Sequence, residues 1–313
     1  MEKVIIIGAG PAGISAALYA VRGNLDPLVI NNGIGALEKA EKIENYYGLE
    51  HPLSGQELYD TGIAQAKALG VRILDAQVLG VGGFDTFVVK TTEGEFETQS
   101  LILATGSKRA APKIPGVKEF EGKGVSYCAI CDAFFYRGKD VAVLGNGDFA
   151  MHEAKELSNT ASTVTIYTNG EEPEFTPEEN ISVNTMKIQS VEGDDLVSGI
   201  RLEPDVQAEE IKAEAGQQAN DFCPAEGVFI AMGIAGSTEI ARQMGAELTE
   251  KGNIKVNENM ETTIPGLYAA GDCTGGLLQV AKAVYEGAQA GINAGKYVRS
   301  VSYTHLRAHE TLA

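Results

Sequence analysis

The chain has few cysteines for its length, and only two of them are close together. Of its four cysteines, Cys128 and Cys131 are separated by two residues, whereas Cys223 and Cys273 are isolated. A structural zinc site needs a second pair of ligands, and neither isolated cysteine has a histidine at ligand spacing. Four cysteines in a chain of 313 residues also exclude a disulfide scaffold. We therefore expect no metal site, and the pair favours redox chemistry.

Basic residues are also scarce. The 25 Lys and Arg stand against 43 Asp and Glu, which gives a formal net charge of -18. Nucleic acids are held by patches of Lys and Arg, so this balance argues against a nucleic-acid partner. No apolar run approaches the length of a membrane-spanning helix. Because Met1-Glu2-Lys3 leads directly into an apolar run without a cleavage-site pattern, we expect a cytoplasmic protein that does not contact membranes.

The cysteine pair lies in the stretch Ser126 to Asp132. Two cysteines at this spacing can close into a small disulfide ring and reopen, because the first thiol is readily held as a thiolate at the start of a helix. The adjacent carboxyl of Asp132 is placed to give a proton to a departing thiolate or to take one from an attacking thiol. The stretch predicts a dithiol centre made of Cys128, Cys131 and Asp132.

A glycine-rich turn follows the first apolar run, Val4 to Ile7. Gly8 to Gly13 has the GxGxxG pattern and leads into an alanine-rich helix. Such a turn lets backbone amides approach a pyrophosphate at the positive end of a helix. The second strand ends in Asn31, where an acidic residue usually binds a ribose; an amide makes a weaker hydrogen bond there. We predict a dinucleotide site.

The same pattern occurs a second time. The strand Val141 to Leu144 leads to Gly145-Asn146-Gly147, then to a helix and to the strand Val164 to Tyr167. Residues 171–226 are strongly acidic, and the simplest interpretation is a solvated surface. Near the end of the chain, a strand leads to Gly271-Asp272, whose carboxylate is placed to accept hydrogen bonds from the hydroxyls of a cofactor.

Taken in order, the motifs GAGPAG, IENYYG, ILATG, CAICD, GNGDFA, GLYAAGD and LQVAKAV resemble those of low-molecular-weight thioredoxin reductases over about residues 1–299. The resemblance is specific because the cysteine pair lies in the second dinucleotide pattern, just before its glycine turn. It implies an α/β fold with two Rossmann-like, three-layer ββα domains. An FAD-binding domain of residues 1–116 and 244–299 is interrupted by a pyridine-nucleotide-type domain of residues 117–243 that carries the cysteines. Residues 300–313 have no counterpart in the family, and we interpret them as an artefactual tail.

The resemblance also implies the chemistry: a homodimeric, FAD-dependent enzyme that reduces a thioredoxin-like protein. Cys131 would face the flavin, Cys128 would attack the disulfide of the partner, and Asp132 would donate the proton. The residues implied to contact FAD are Gly8, Gly10, Pro11, Ala12, Gly13, Asn31, Gly35, Asn45, Ala104, Thr105, Gly106, Gly271, Asp272, Gln279, Val280 and Ala281. Gly145 and Gly147 would form a weak or vestigial nucleotide site.

The chain departs from the family where NADPH would bind. NADPH-dependent members follow the strand matching Val164 to Tyr167 with His-Arg-Arg and a further Arg, which hold the 2'-phosphate, whereas here the stretch Thr168 to Glu174 contains no arginine. Phe149 replaces a small hydroxyl residue at the start of the second helix, where we expect its ring to crowd a pyrophosphate. We expect no tight NADPH binding, and NADH is only a weak alternative. The chain is similar to family members that take electrons from reduced ferredoxin.

Residues 107–139 contain more basic than acidic side chains. They form either a docking face for an acidic ferredoxin or a scattered, solvated set. Our leading hypothesis is the reduction of a thioredoxin-like protein. The alternatives are a flavin-dithiol enzyme that serves a peroxidase or a small-molecule disulfide, and a flavin redox sensor without turnover. Asp132 argues against the sensor, which needs no proton donor.

Overall fold

A computed structural model describes residues 1–83, 85–106, 112–127, 129–204, 221–232 and 236–310. Cys128 lies outside the described residues, and so do the side chains of Ile130, Cys131 and residues 302–310. The chain divides into two compact units, Met1–Arg109 with Gly236–Ala313 and Ala110–Ala235. The first unit is thus built from both ends of the chain and the second is inserted in it, which confirms the predicted architecture. The exact domain boundaries at 116 and 243 stay predictions.

The first unit contains a mixed sheet, and one part of it is parallel. Strands and helices are numbered here along the whole chain. Its parallel strands are β1 (Glu2–Ile7), β2 (Pro27–Asn31), β3 (Arg72–Asp75), β6 (Gly94–Leu103) and β15 (Leu267–Ala269). The strands β4 (Val78–Gly82) and β5 (Phe87–Thr91) continue it in antiparallel fashion beyond β6. Ile7 pairs with Ile30 on one side and with Leu103 on the other, and Leu103 pairs with Ala269. These parallel strands therefore end at one common edge.

The helices of the first unit are α1 (Pro11–Arg22), α2 (Gly55–Ala68), α5 (Ser237–Gln243) and α6 (Val280–Glu310). α1 and α6 pack closely, because a Cβ on Gly287 would lie 2.0 Å from the carbonyl oxygen of Ala12 and one on Gly291 2.3 Å from that of Ala16. The contact buries the alanine-rich face of α1. No helix in the described part of the chain is both long enough and apolar enough to cross a membrane.

The second unit contains a parallel sheet of the strands β7 (Val125–Ser126), β8 (Asp140–Leu144), β9 (Thr163–Tyr167), β10 (Ser182–Asn184) and β14 (Gly227–Ile230). Their order across the sheet is β10-β9-β8-β14-β7. An antiparallel layer is formed by β11 (Ile188–Gly193), β12 (Val197–Leu202) and β13 (Phe222–Pro224), and the helices are α3 (Ala129–Asp132) and α4 (Asp148–Ser158). The acidic segment therefore supplies β10 to β13, and Ile200 and Leu202 of β12 join Leu144 of β8 in one core.

Candidate functional site

Three turns meet at the common edge of the sheet in the first unit. Gly8 follows β1, Ala104 follows β6 and Gly271 lies just after β15. Gly8 has a φ of 109°, and a Cβ there would lie 2.4 Å from the carbonyl oxygen of Ala104. A Cβ on Gly271 would lie 2.9 Å from the Cβ of Ala12. The predicted FAD residues of both ends of the chain are therefore in contact, at the edge where open α/β sheets bind ligands.

The N-terminus of α1 opens into free space. Gly10 caps the helix without a side-chain hydrogen bond, and Pro11 occupies its first turn. A Cβ on Gly10 would meet nothing within 4 Å, whereas one on Gly13 would lie 1.8 Å from the carbonyl oxygen of Gly8. Gly13 is thus required for the tight turn, and Gly10 leaves room beside the unpaired amides of the helix start. This cradle fits a pyrophosphate, as in FAD.

Asp272 stands at the start of a short 3-10 helix, Asp272–Thr274, at the same edge. Its side chain is half-buried. Burial raises the pKa of this carboxyl, and the nearby Lys282 opposes the effect. None of the described residues donates a hydrogen bond to its carboxylate oxygens. The carboxylate is therefore an available acceptor for the hydroxyls of FAD.

Two further predicted residues meet although they lie far apart in the chain. The amide nitrogen Nδ2 of Asn45 donates to Oε1 of Gln279 at 2.9 Å, across 234 residues of sequence. Gln279 directly precedes α6, whose first residues are Val280 and Ala281. Both amides are exposed and so remain accessible to a ligand.

Two predicted residues already have side-chain partners. Asn31 donates to Oδ1 of Asp75 at 2.6 Å and accepts from the hydroxyl of Tyr59 at 2.9 Å. The hydroxyl of Thr105 lies 2.7 Å from that of Ser237, at the start of α5. The second strand of such a fold usually ends in an acidic residue, and here it ends in Asn31. Asp75, at the end of the neighbouring β3, brings a carboxylate to the same edge. The sequence pattern did not single out Asp75. A ribose contact of Asn31 stays a prediction.

The remaining predicted FAD glycines face open space. Gly35 and Gly106 have φ values of 66° and 84°, and a Cβ on either would meet nothing within 4 Å. Their backbones can therefore approach a ligand without hindrance from neighbouring atoms. Both contacts with FAD stay predictions.

In the second unit, two carboxylates hold the segment of the cysteine pair. Oδ2 of Asp132 accepts from the hydroxyl of Ser126 at 2.7 Å. Oε2 of Glu153, which is 2% exposed on α4, accepts from the backbone N–H of Ala129 at 2.6 Å. Cys131 lies on α3 between these two contacts. Sequence reasoning missed Glu153, since no spacing rule links it to the cysteines.

An exposed aromatic pair follows the cysteine helix. Phe134 and Phe135 are 72% and 68% exposed, and their ring centroids are 6.1 Å apart in an edge-to-face arrangement. The guanidinium of Arg137 lies 5.8 Å from the ring centre of Phe134. Large exposed rings next to a reactive segment indicate a surface for a protein partner. The Phe-Phe dipeptide, which is separated from the cysteine motif by Ala133 alone, was the available sequence signal.

The second glycine turn is narrow and acidic. A Cβ on Gly145 would lie 2.2 Å from the carbonyl oxygen of Ala231, and Gly147 caps α4 without a side-chain hydrogen bond. The backbone N–H of Glu174 donates to the carbonyl oxygen of Asn146 at 2.7 Å, which draws the acidic loop after β9 against the turn. The ring of Phe149 is buried and takes no room on the exposed side of the turn, so our expectation that it would crowd a pyrophosphate is wrong.

The two isolated cysteines differ in exposure. Cys273 is 2% exposed, and its Sγ lies 3.3 Å from the carbonyl oxygen of Ala270. Burial raises the pKa of Cys273 to about 12, against a smaller opposing effect of Lys282. The thiol is therefore neutral at physiological pH and a poor nucleophile. Cys223 is half-buried on β13.

Comparison with known proteins agrees with this geometry. The family model for pyridine nucleotide-disulphide oxidoreductases matches residues 2–287. Thioredoxin reductase of Aquifex aeolicus (strain VF5) is 38% identical in an alignment of 285 positions, and the match covers 86% of this chain and 84% of that protein. The atypical thioredoxin reductase TRi from Desulfovibrio vulgaris Hildenborough is 39% identical with a TM-score of 0.85, and the match covers 96% of this chain and 99% of that one.

A ferredoxin-flavin thioredoxin reductase from Clostridium acetobutylicum is also similar, with 29% identity and a TM-score of 0.67 over 95% of this chain and 98% of that one. Both solved structures extend over nearly the whole chain, so the likeness includes both units and not one nucleotide-binding fold alone. The family match, the fold of both units and the glycine-lined edge of the first sheet therefore support the same assignment. The chain belongs to the pyridine nucleotide-disulphide oxidoreductases, and within them it is a flavoprotein oxidoreductase of the thioredoxin reductase family.

Proposed function

We propose that the protein is an FAD-dependent enzyme that reduces the disulfide of a thioredoxin-like protein through Cys128 and Cys131. The observation that carries the proposal is the position of the cysteine motif. It lies between β7 and β8 of the inserted unit, beside an Asp132 carboxylate held by Ser126. The relatives named thioredoxin reductase support the same assignment over most of the chain.

The exchange needs two thiols and one proton donor. The Cys128 thiol gives its proton to the Asp132 carboxylate and attacks one sulfur of the partner disulfide, and the departing sulfur takes this proton from Asp132. Cys131 then attacks the Cys128 sulfur, its proton passes to the second partner sulfur, which leaves as a thiol, and a Cys128–Cys131 disulfide remains. The partner gains two electrons and two protons, and the enzyme dithiol loses them. A bound flavin, once reduced by the external electron donor, would supply the two electrons that reopen the enzyme disulfide.

Ser126 and Glu153 prepare the segment for this exchange. The hydroxyl of Ser126 orients the Asp132 carboxyl, and Glu153 holds the backbone N–H that follows Cys128. A group held in place before the reaction loses less freedom when it reacts. Phe134 and Phe135 provide apolar area for the protein partner at the same end of the unit.

We also propose that the electron donor is not NADPH. Three exposed glutamates, Glu171, Glu172 and Glu174, occupy the loop where a 2'-phosphate would be bound, and this loop is hydrogen-bonded to the glycine turn. A phosphate placed there would meet like charges and no arginine. Gly145 and Gly147 then serve the fold of the unit and form at most a vestigial nucleotide site.

Reduced ferredoxin is the candidate donor. The Clostridium acetobutylicum relative is named a ferredoxin-flavin enzyme, and Lys113, Lys118, Lys123 and Arg137 of this chain are exposed. Such side chains attract an acidic partner over about 8 Å at physiological salt. Lys108 and Arg109, which belong to the same basic stretch, lie outside the described residues. By family resemblance, we also propose a homodimer in the cytoplasm.

The donor is tested anaerobically by the visible absorbance of the FAD-loaded enzyme. NADPH, NADH and chemically reduced ferredoxin are added in turn. We expect bleaching of the flavin by ferredoxin alone. Bleaching by NADPH at micromolar concentration would contradict the donor proposal and leave the reductase proposal standing.

The substrate is tested with Cys131→Ser. The variant should keep FAD and lose disulfide reduction; retained turnover with thioredoxin would contradict the mechanism. An enzyme that oxidises small dithiols to form peroxide, without thioredoxin turnover, would instead support the alternative flavin-dithiol function. A chain that keeps FAD and shows neither activity would support the sensor.

A further inference from the structure

Lys282 and Glu286 form a largely buried ion pair next to the loop that carries Asp272. They are one helical turn apart on α6, with side chains 15% and 12% exposed, and Nζ lies 2.9 Å from Oε2. Nζ also donates to the carbonyl oxygens of Gly271 and Gly275 at 2.7 and 2.6 Å and to the hydroxyl of Thr274 at 2.8 Å. Oε2 of Glu286 accepts from the N–H of Gly271 and the hydroxyl of Thr274, both at 2.9 Å. All these partners lie in residues 271–275.

The loop needs such support because of its backbone. Gly271 has φ 87° and ψ -153°, and Gly275 has φ 78° and ψ -155°. Residues with side chains avoid this region, and a loop keeps such a conformation only where its surroundings over-determine it. The ion pair contacts both glycines, one at each end of the short helix that begins with Asp272.

Stability alone does not account for the ion pair. Burying two charges has a large desolvation cost, and apolar residues of similar volume are often equally stable or more stable. Apolar residues, however, cannot make directed hydrogen bonds to the backbone of the loop. The contacts therefore indicate that the pair determines the geometry of residues 271–275.

We propose that Lys282 and Glu286 are positioning residues for the flavin site, because they hold the loop on which Asp272 meets the hydroxyls of FAD. The inference rests on the assignment of Asp272 to FAD. The half-buried Asp272 carboxylate receives no hydrogen bond from a described residue, so its direction is set by its backbone. Lys282 acts on FAD through this loop, and loosening the loop weakens FAD binding.

The test measures FAD release from the full-length holoenzyme after dilution, by the rise of free-flavin fluorescence. Lys282→Met is expected to raise the Kd of FAD about ten- to a hundredfold, since it removes hydrogen bonds from a charged donor. Glu286→Gln keeps an acceptor for Gly271 and Thr274 and is expected to have a smaller effect in the same direction. Lys296→Met is the control, because Lys296 lies on the same helix and donates to Asn293. It should change the Kd less than twofold.

A double-mutant cycle with Asp272→Asn separates positioning from a general structural role. If Lys282 acts through Asp272, Lys282→Met adds less than threefold to the Kd in the Asp272→Asn background. The proposal would be overturned if the double variant raised the Kd of FAD by the product of the two single effects. It would also be overturned if Lys282→Met released FAD as wild type does. If Lys282→Met does not fold, Glu286→Gln takes its place in the cycle with Asp272→Asn, and the same criteria decide the proposal. A wild-type chain that binds no FAD would overturn the flavin assignment itself, and no outcome depends on thioredoxin turnover.

Discussion

The buried carboxylate of Glu153 accepts a hydrogen bond from the backbone N–H of Ala129, with 2.6 Å between nitrogen and Oε2. Ala129 begins α3 and directly follows Cys128. The first amides of a helix have no partner within the helix. Glu153 supplies one from the neighbouring α4 and so joins the cysteine segment to the core of the second unit.

We predict that Glu153→Leu destabilises the enzyme by about 1–3 kcal/mol, because it leaves a buried N–H without a partner. Glu153→Gln keeps an acceptor and should lose less. Urea unfolding measures the difference. The control is Glu178→Gln, which breaks an exposed ion pair with Lys155 and should change the stability by less than about 1 kcal/mol. Equal stability of Glu153→Leu and this control would contradict the role of the contact.

Asp132→Asn should slow the reduction of a thioredoxin-like protein by roughly 10²- to 10⁴-fold, because an amide cannot protonate the departing thiolate. Ser126→Ala, which only removes a hydrogen bond to this carboxyl, should have a smaller effect in the same direction. Steady-state turnover measures both, and unchanged FAD content shows that the flavin site is intact. Wild-type turnover of Asp132→Asn would remove Asp132 from the mechanism.

Phe134→Ala and Phe135→Ala should each lower kcat/KM for the protein substrate about tenfold, as expected for truncation of an aromatic anchor at an interface. Reduction of a small aromatic disulfide should be unchanged, since it does not need the docking surface. Tyr47→Ala is the matched control, because Tyr47 is 99% exposed on the first unit. Equal losses for the protein and the small substrate would place the two rings in the chemistry instead of the docking.

The strands and turns that frame the sites were predictable from the sequence. The apolar runs at Val4 and Val141 form β1 and β8, and both lead into glycine turns at the carboxyl edge of a parallel sheet. The family resemblance placed the distant residues Asn45 and Gln279 at one site, and their side chains are hydrogen-bonded to each other. Local pattern and the family resemblance were sufficient here.

Other features depend on contacts that leave no pattern. The strands β11 and β12 were not predicted in the acidic segment, because exposed charges surround short alternating runs such as that of Ile200 and Leu202. Glu153 was missed because its partner is a backbone N–H. The pair Lys282 and Glu286 has ordinary i, i+4 spacing, which usually indicates a solvated helix face, and only the structure shows that it is largely buried against a loop.

Cys273 should resist modification in the native enzyme at pH 8. Its thiol is buried and its pKa is raised to about 12, so almost no thiolate is present. Mass spectrometry after iodoacetamide treatment should find Cys273 unmodified and labelled only after unfolding. Labelling of Cys273 as fast as the half-buried Cys223 would contradict the inert interpretation.

Asp272→Asn should affect stability and FAD binding in opposite directions. Burial raises the pKa of the Asp272 carboxyl, so the folded chain holds this proton more tightly than the unfolded chain does. As the pH rises through the unfolded and then the folded pKa, the unfolded chain loses the proton first, and the free energy of unfolding falls. The ionised carboxyl therefore destabilises the FAD-free protein at pH 7.

Asn cannot ionise, so the FAD-free variant should be more stable than wild type at pH 7. It should lose this advantage near pH 3, where the Asp272 carboxyl of wild type is neutral in the folded and in the unfolded chain. FAD binding should weaken about ten- to a hundredfold, because a charged acceptor is lost. Thermal unfolding of FAD-free protein at the two pH values and FAD titration measure the two effects. A variant that is less stable at pH 7 yet binds FAD normally would show that Asp272 supports the fold and not the cofactor.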